Sequence, residues 1–447
     1  MGENGRGNGN GSSPSVQGRA RAEGRRLFAE WFRRLSQAQE TGEPVAYIFV
    51  IGNALELLRS FDFLLSFPEI NALQTAVKKV SMDYLQPAEE WGLSPDVCGY
   101  VKADVGLYLK GGDHPMGRIP KPTVVVGANV CNTYIKWAEI WERIYKCPVL
   151  FLDIPGVRSY GRLPVRGTPE FDADKQFVLA QLMEMIEVLE KVTGKRFDPD
   201  RLAEVEGNIN RTIRAWARIL ELNREVPAPY DCMLEGLTYL GIMNAWRGTP
   251  EGAEYMEAVV EELEERRALG LGTLPEERFR LVFNGAPCYP YMRRSMELFQ
   301  EWGGVFVYSS YVGLTCGGCT EEFLFDTARP LESLAEVTLL NSQFSIGNIF
   351  FMEEELKRWV EDYKADGIVF HGLKSCRTYS AGMADSREYM VEKFGIPSLA
   401  LESDLIDPRY WSEAQMKNRI DAYFEALAQR KVYAAGATGT RGPAPTR

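Results

Sequence analysis

Short apolar runs that end in small or polar residues, each followed by a helix-length amphipathic stretch, recur along this chain and constrain its fold more than any other feature. The runs are Pro44–Ile51, Pro122–Gly127 with its Thr-Val-Val-Val, Pro148–Ile154, Phe279–Asn284, Gly304–Ser309, Gly367–His371 and Ser398–Leu401. Strands apolar on both faces belong to parallel sheets covered by helices, so the alternation predicts βαβ units. From Phe171 to about Leu269 the strand signal stops and only 3.6-residue periodicity remains. The fold class expected is therefore α/β, with two Rossmann/flavodoxin-like parallel-sheet lobes and a helical insertion between them. The boundaries read as a disordered tail over 1–18, an N-terminal lobe over 19–165, a helical segment over 166–272, a C-terminal lobe over 273–434 and a second tail over 435–447. Such lobes would leave a cleft at their strand ends, where open α/β sheets bind ligands.

Individual elements can be placed more finely. A helix is expected over Arg19–Gln39, and the first apolar run should turn at Gly52-Asn53. The stretch Phe61-Asp-Phe-Leu-Leu-Ser-Phe reads as a strand and its exit, followed by one long amphipathic helix over Ala72–Glu90. Asn132–Tyr145 is a helix carrying Tyr134, Trp137 and Trp141. In the helical segment, Asp172–Thr193 and Pro199–Arg224 have strong apolar periodicity, with Asp198 as N-cap and Pro199 at the first helical position. The charged run Glu261–Arg267 should be a solvated face. The last helix is expected over Ser412–Arg430.

Three cysteines stand out on this framework. Cys98 lies in Asp96-Val-Cys-Gly-Tyr-Val-Lys-Ala-Asp, just past the long helix. Cys131 and Cys376 each follow an apolar run, so both read as strand, short loop, cysteine, helix. Thiolate is the preferred protein ligand of iron–sulfur clusters, and helix N-termini with free backbone N–H groups favour its deprotonated form. Three thiolates from three loops would hold three irons of a cubane and leave the fourth open. Small buried thiols are the competing reading, and spacing alone does not separate the two.

The remaining signals mostly exclude functions. A net charge of −11 and a pI near 5.1, with no dense Lys/Arg block, argue against nucleic acid and an anionic membrane surface. Ala46–Phe67, the most apolar stretch, is interrupted by Glu56, Arg59 and Asp62 and does not span a bilayer. Eight cysteines without a secretory signal point to a reducing cytoplasm. No Gly-x4-Gly-Lys-Ser/Thr loop is present, since Gly194-Lys195 continues into Arg196, so this chain is not expected to bind ATP. Cys316-Gly-Gly-Cys319 has redox-pair spacing but no partner motif, and Cys147, Cys232 and Cys288 read as structural thiols. His371 stands at a strand end shortly before Cys376, where it could donate a proton; a structural role competes with that reading. His114 reads as a loop residue.

Asp96-Val-Cys98-Gly-Tyr-Val-Lys-Ala-Asp-Val-Gly, Cys131-Asn-Thr-Tyr-Ile-Lys-Trp, and Ser375-Cys376-Arg with Gly395-Ile-Pro-Ser-Leu-Ala-Leu-Glu-Ser-Asp404 resemble the iron–sulfur components of 2-hydroxyacyl-CoA dehydratases and ATP-dependent benzoyl-CoA reductases. They run in family order over about residues 45–430. The segment Leu57–Gln74, with Phe67-Pro-Glu-Ile-Asn-Ala-Leu-Gln, looks most like the larger of the two iron–sulfur subunits of benzoyl-CoA reductase. The resemblance implies that Cys98, Cys131 and Cys376 ligate an iron–sulfur cluster, either a 4Fe-4S cubane or a double cubane. It also implies reduction of the ring of benzoyl-CoA to a cyclic dienoyl-CoA, in anaerobic aromatic degradation. Its implied partners are a homologous second iron–sulfur subunit, two ATPase subunits that use the ATP, and reduced ferredoxin as electron source. Two alternatives stay open: a subunit of an (R)-2-hydroxyacyl-CoA dehydratase, and a non-catalytic electron-transfer subunit.

Overall fold

The computed structural model describes residues 18–51, 54–156, 165–314, 323–345 and 349–438. Gly52-Asn53, the Cys316/Cys319 pair and most of both tails lie outside them. The N-terminal part runs α1 (Arg19–Thr41), β1 (Val45–Ile48), α2 (Leu55–Ser60), β2 (Leu64–Ser66), α3 (Pro68–Val77), α4 (Met82–Glu90), α5 (Gly99–Leu109), β3 (Val124–Ala128), α6 (Asn132–Tyr145) and β4 (Val149–Leu152). Helices α7 (Pro169–Thr193), α8 (Pro199–Leu222), α9 (Leu237–Trp246) and α10 (Pro250–Ala268) follow, with a π-helical turn at Cys232–Gly236 leading into α9. The C-terminal part runs β5 (Phe279–Asn284), α11 (Met292–Gln300), β6 (Gly304–Ser309), α12 (Ser310–Leu314), α13 (Pro330–Ser345), α14 (Ile349–Asp362), β7 (Gly367–Leu373), α15 (Arg377–Ser380), α16 (Met383–Phe394), β8 (Ser398–Ser403) and α17 (Glu413–Thr438).

Both sheets are wholly parallel and share one winding. The orders are β2-β1-β3-β4 and β6-β5-β7-β8, so in each sheet the first strand lies between the second and the third. This is the flavodoxin-like order, and it bears out the expected α/β class. Strand β3 is buried at every position, and β1 and β4 flank it in register (Ala46 opposite Val124, Val125 opposite Val149). Gly127 in β3 has no room for a side chain: a Cβ there would come within 2.9 Å of the Phe151 ring and 3.0 Å of the Phe49 ring.

Three local expectations are corrected. The expected helix over Ala72–Glu90 is two helices. Lys79 adopts a left-handed φ of 61°, and the N–H of Val80 reaches back to the Thr75 carbonyl at 2.9 Å, closing α3 as helix ends commonly close. The new direction lets α4 pack on α5, so tightly that a Cβ on Gly106 would lie 2.1 Å from the Tyr84 carbonyl oxygen. The C-terminal helix runs on to Thr438, into the expected tail. The run Glu261–Arg267 is not wholly solvated: Glu262 and Arg266 are buried and paired at 2.6 Å, and the Glu262 carboxylate accepts the N–H groups of Gly18 (3.0 Å) and Ala20 (2.6 Å) at the start of α1. That anchors a positive helix end on a buried anion.

The Asp198 cap is as expected, its carboxylate accepting from Asp200 N at 2.9 Å. One apolar core runs without interruption through the first lobe, the helical segment and part of the second lobe, while a smaller cluster lies between the second sheet and α17. The helical segment is thus built into the core, with α9 and α10 packed on α1, and α7 and α8 on α13. Among the described residues no helix is long and apolar enough to cross a membrane.

Candidate functional site

Each of the three cysteines is the N-cap residue of a helix: Cys98 of α5, Cys131 of α6 and Cys376 of α15. Cys131 and Cys376 follow the third strands of the two sheets, β3 and β7, and so hold equivalent places in the two windings. Cys98 arrives differently, on the turn between α4 and α5. The structure brings all three together. Burial pushes the Cys98 thiol up, and Cys376 and Cys131 add to the rise as neighbouring negative charges, while the N–H groups of Tyr100 and Val101 oppose it. Burial likewise pushes Cys376 up to about 11, opposed by the N–H groups of Tyr379 and Thr378 and helped by Cys131. The Cys131 sulfur lies 3.6 Å from Thr378 Oγ1, on the Cys376 turn.

A second set of residues, not singled out from sequence, surrounds this point. Each cysteine is followed two or three residues later by a tyrosine: Tyr100, Tyr134 and Tyr379. One helical turn therefore presents a thiol and a phenol together. Tyr100 OH lies 3.4 Å from Tyr311 OH, which also accepts from Tyr289 OH at 3.1 Å. The ring of Tyr379 lies 6.1 Å from that of Tyr311. Tyr134 OH donates to Glu69 Oε1 at 2.7 Å. Glu69, Tyr289 and Tyr311 in turn line a largely apolar, partly open pocket of about 360 Å³, bounded on its other sides by α1, α3 and α9 through Phe28, Leu73 and Leu240. Burial pushes the Glu69 carboxyl up to about 7, against the hydrogen bond from Tyr134, and its Oε2 is buried without a hydrogen-bond partner among the described residues. The sequence signal for Tyr100, Tyr134 and Tyr379 was the repeated Cys-x-Tyr or Cys-x-x-Tyr spacing; Glu69, Tyr289 and Tyr311 had none.

His371 is buried on β7 with both ring nitrogens engaged, Nδ1 with the Ala286 carbonyl at 2.6 Å and Nε2 with Ser403 Oγ at 2.7 Å. Burial holds its pKa below the usual histidine range. That is the environment of a ring pinning β7 to its neighbours. His114 is more than a loop residue: it is buried, stacks on Phe32 and bonds the Asn71 carbonyl at 2.9 Å through Nε2. Cys232 and Cys288 are fully buried, and Cys147 is half-buried.

The donor set is chemically soft, three thiols and no carboxylate or imidazole among them. Among the described residues no group of three His, Cys, Asp or Glu is close enough to hold one metal ion. Three soft sulfurs close together, with Cys98 and Cys376 each met by two backbone N–H groups, are the ligand type an iron–sulfur cluster takes.

The chain is similar over most of its length to several characterised proteins. It is 35% identical to a benzoyl-CoA reductase subunit of Thauera aromatica, over 92% of this chain and 95% of that one. It is 27% identical to the (R)-2-hydroxyisocaproyl-CoA dehydratase alpha subunit of Clostridioides difficile, over 91% and 95% of the two chains. It is also 27% identical to the (R)-phenyllactyl-CoA dehydratase alpha subunit of Clostridium sporogenes, over 88% and 92%. A family model described as 2-hydroxyglutaryl-CoA dehydratase, D-component, matches residues 53–427, a span that holds all three cysteines and both sheets apart from β1, and the chain belongs to that family.

Proposed function

We propose that this chain is the iron–sulfur subunit of an ATP-dependent benzoyl-CoA reductase, with Cys98, Cys131 and Cys376 as its cluster ligands. The observation that carries the reading is the convergence of three helix-capping thiols, each with a phenol beside it, behind the Tyr289 and Tyr311 phenols that line one apolar cavity. The 35% identity to a benzoyl-CoA reductase subunit favours a ring reduction over a dehydration. The 27% relatives keep the (R)-2-hydroxyacyl-CoA dehydratase as the second reading. Bound by the three thiolates, a 4Fe-4S cubane or double cubane would supply electrons one at a time. The overall change adds two electrons and two protons to benzoyl-CoA, giving a cyclic dienoyl-CoA. Reduced ferredoxin supplies the electrons through two ATPase subunits, and a homologous iron–sulfur subunit completes this cytoplasmic complex.

The chain's own residues take the remaining tasks. The apolar cavity holds the ring and keeps water from it. Glu69, raised to about 7 by burial, can carry a proton on Oε2 at neutral pH beside the bound ring. The phenols of Tyr100, Tyr289 and Tyr311 form a hydrogen-bonded wall between thiols and cavity. His371 has no free ring nitrogen and acts by holding β7 in place.

The test is anaerobic purification of the chain with its homologous partner subunit, followed by iron and acid-labile sulfide analysis. Oxygen-labile iron and sulfide in equal amounts are expected, and stoichiometric zinc without sulfide would sink the reading. Benzoyl-CoA should be reduced only when the ATPase subunits, ATP and a strong reductant are all present. Turnover of a 2-hydroxyacyl-CoA with no net reduction would select the dehydratase instead.

A further inference from the structure

The loops that carry Cys98 and Cys376 belong to different lobes, yet one hydrogen-bonded chain links the residues next to them. The N–H of Gly99 donates to Ser375 Oγ at 3.2 Å. Ser375 Oγ donates in turn to Asp404 Oδ2 at 2.5 Å, and Ser375 N donates to the same oxygen at 2.9 Å. The other carboxylate oxygen, Asp404 Oδ1, accepts the N–H groups of Ile406 and Asp407, both at 3.1 Å. All three linked residues are buried, and Asp404 is fully enclosed. A buried carboxylate with four donors has little freedom to shift, so it fixes the position of whatever it holds. Gly99 sits tight against this group: a Cβ there would come within 2.9 Å of Ile406 Cβ and 3.2 Å of Asp404 Oδ1.

The consequence is geometric. Gly99 is the first residue of α5 and Ser375 directly precedes the cap of α15, so the Gly99–Ser375–Asp404 chain sets how far apart the two cysteine-bearing helix ends stand. Cys131 has no comparable link among the described residues; its sulfur meets the second lobe through Thr378 Oγ1. Tyr100 OH also reaches across the lobes, 3.4 Å from Tyr311 OH, and a charged contact lies farther along α5. Lys102, on the next turn of α5, is buried beside Glu89 (2.9 Å) and Asp407 (3.8 Å).

We propose that Ser375 and Asp404 are positioning residues of the iron–sulfur site: they hold Cys98 and Cys376 at cluster-binding separation by bridging the lobes, without touching metal or substrate. The proposal rests on the cluster reading above. Residues that orient metal ligands from behind typically change metal retention by about 10- to 100-fold when removed. A residue that only stabilised the fold would lower the unfolding midpoint and leave iron retention per folded chain unchanged.

The experiment uses the full-length chain, co-expressed with its homologous partner subunit and purified anaerobically, as wild type, Ser375→Ala, Ser375→Thr and Cys232→Ala. Iron release to bathophenanthroline disulfonate, electron paramagnetic resonance of the reduced protein and the unfolding midpoint after iron removal are read on each. Ser375→Ala should release iron about 10- to 100-fold faster and shift the resonance lines, with Ser375→Thr and Cys232→Ala close to wild type. Wild-type release rate and lines in Ser375→Ala would overturn the proposal while leaving the cluster reading intact. Should Ser375→Ala unfold, Ser375→Thr decides: slow release supports the hydroxyl bridge and fast release refutes it. Wild-type protein that never holds iron and sulfide together would overturn the underlying reading itself.

Discussion

The turns that present Cys131 and Cys376 occupy the same place in two sheets of the same winding, but they are braced in different ways. Cys131 caps a 14-residue helix locked into its own lobe by aromatic side chains. Tyr134 stacks on Phe49 at 3.7 Å, and the indoles of Trp137 and Trp141 both donate to Asp104 Oδ2 at 2.7 Å. Cys376 caps only four helical residues, a stretch too short to carry its own packing. It is held by hydrogen bonds instead: Ser380 Oγ to the backbone of Leu373 at 2.8 Å, and Ser375 to Asp404 and on to Gly99 of the other lobe. One cysteine is placed within its lobe, the other by how the lobes meet. Two copies of one local motif are thus made rigid by opposite means, apolar packing in one and polar bridging in the other.

Removing the bridged thiol should have the largest effect. Cys376→Ala is expected to abolish activity and most iron binding, whereas Cys232→Ala, at a fully buried thiol on the π-helical turn before α9, should cost about 1 kcal/mol of stability and leave iron untouched. Iron per chain on the two variants decides it, and equal iron would remove Cys376 from the ligand set. In the other lobe, Trp141 is completely buried, so Trp141→Ala should destabilise the protein by about 3–5 kcal/mol in urea unfolding. A smaller loss would mean that aromatic packing is not what places Cys131.

Glu69 tests the apolar side of this contrast through pH, because it braces Tyr134 on the Cys131 helix. Its carboxyl titrates near about 7 in the fold and near 4.5 when unfolded, so the folded state binds more protons between those values. The stability this contributes is fully present below 4.5 and is lost as pH rises to about 7. Glu69→Gln does not ionise, so relative to wild type it should gain on the order of 3 kcal/mol as pH rises through that window, by the ~1.36 kcal/mol per pKa unit of linkage. Parallel stability curves for the two proteins would show that Glu69 is already ionised in the fold. The smallest effect is expected at the outer edge of the bridge, where the half-exposed Arg409 pairs with Glu89 and Asp407 at 2.5 Å. Arg409→Ala should cost about 0–1 kcal/mol and leave iron release unchanged. A large rise in iron release would extend the bridge beyond Asp404.

Much of the architecture was legible in the chain. Strands such as Val124-Val-Val at β3 and Phe279–Asn284 at β5 are apolar on both faces, and that pattern has few outcomes other than a buried parallel strand. The Asp198-Pro199 start of α8 was equally plain, because a cap is a local matter of one side chain and two N–H groups. The break between α3 and α4 was not legible, since it depends on Lys79 entering a left-handed conformation that no residue type there announces. Nor was the burial of Glu262 and Arg266: a charged run reads as solvated until the start of α1 is seen resting on it. Glu69 showed no sign of a role, because its raised pKa comes from burial contributed by distant elements.

Local periodicity and capping were enough to establish the alternation of strands and helices, the parallel-sheet class and the placing of Cys131 and Cys376 at helix starts. Long-range packing alone settled that Cys98 joins them, that tyrosines and Glu69 meet at one cavity wall, and that Ser375 and Asp404 bridge to Gly99. Those facts depend on residues as far apart as Gly99 and Ser375 arriving within hydrogen-bond distance. Periodicity records which face of a strand or helix is buried, but not what is buried against it.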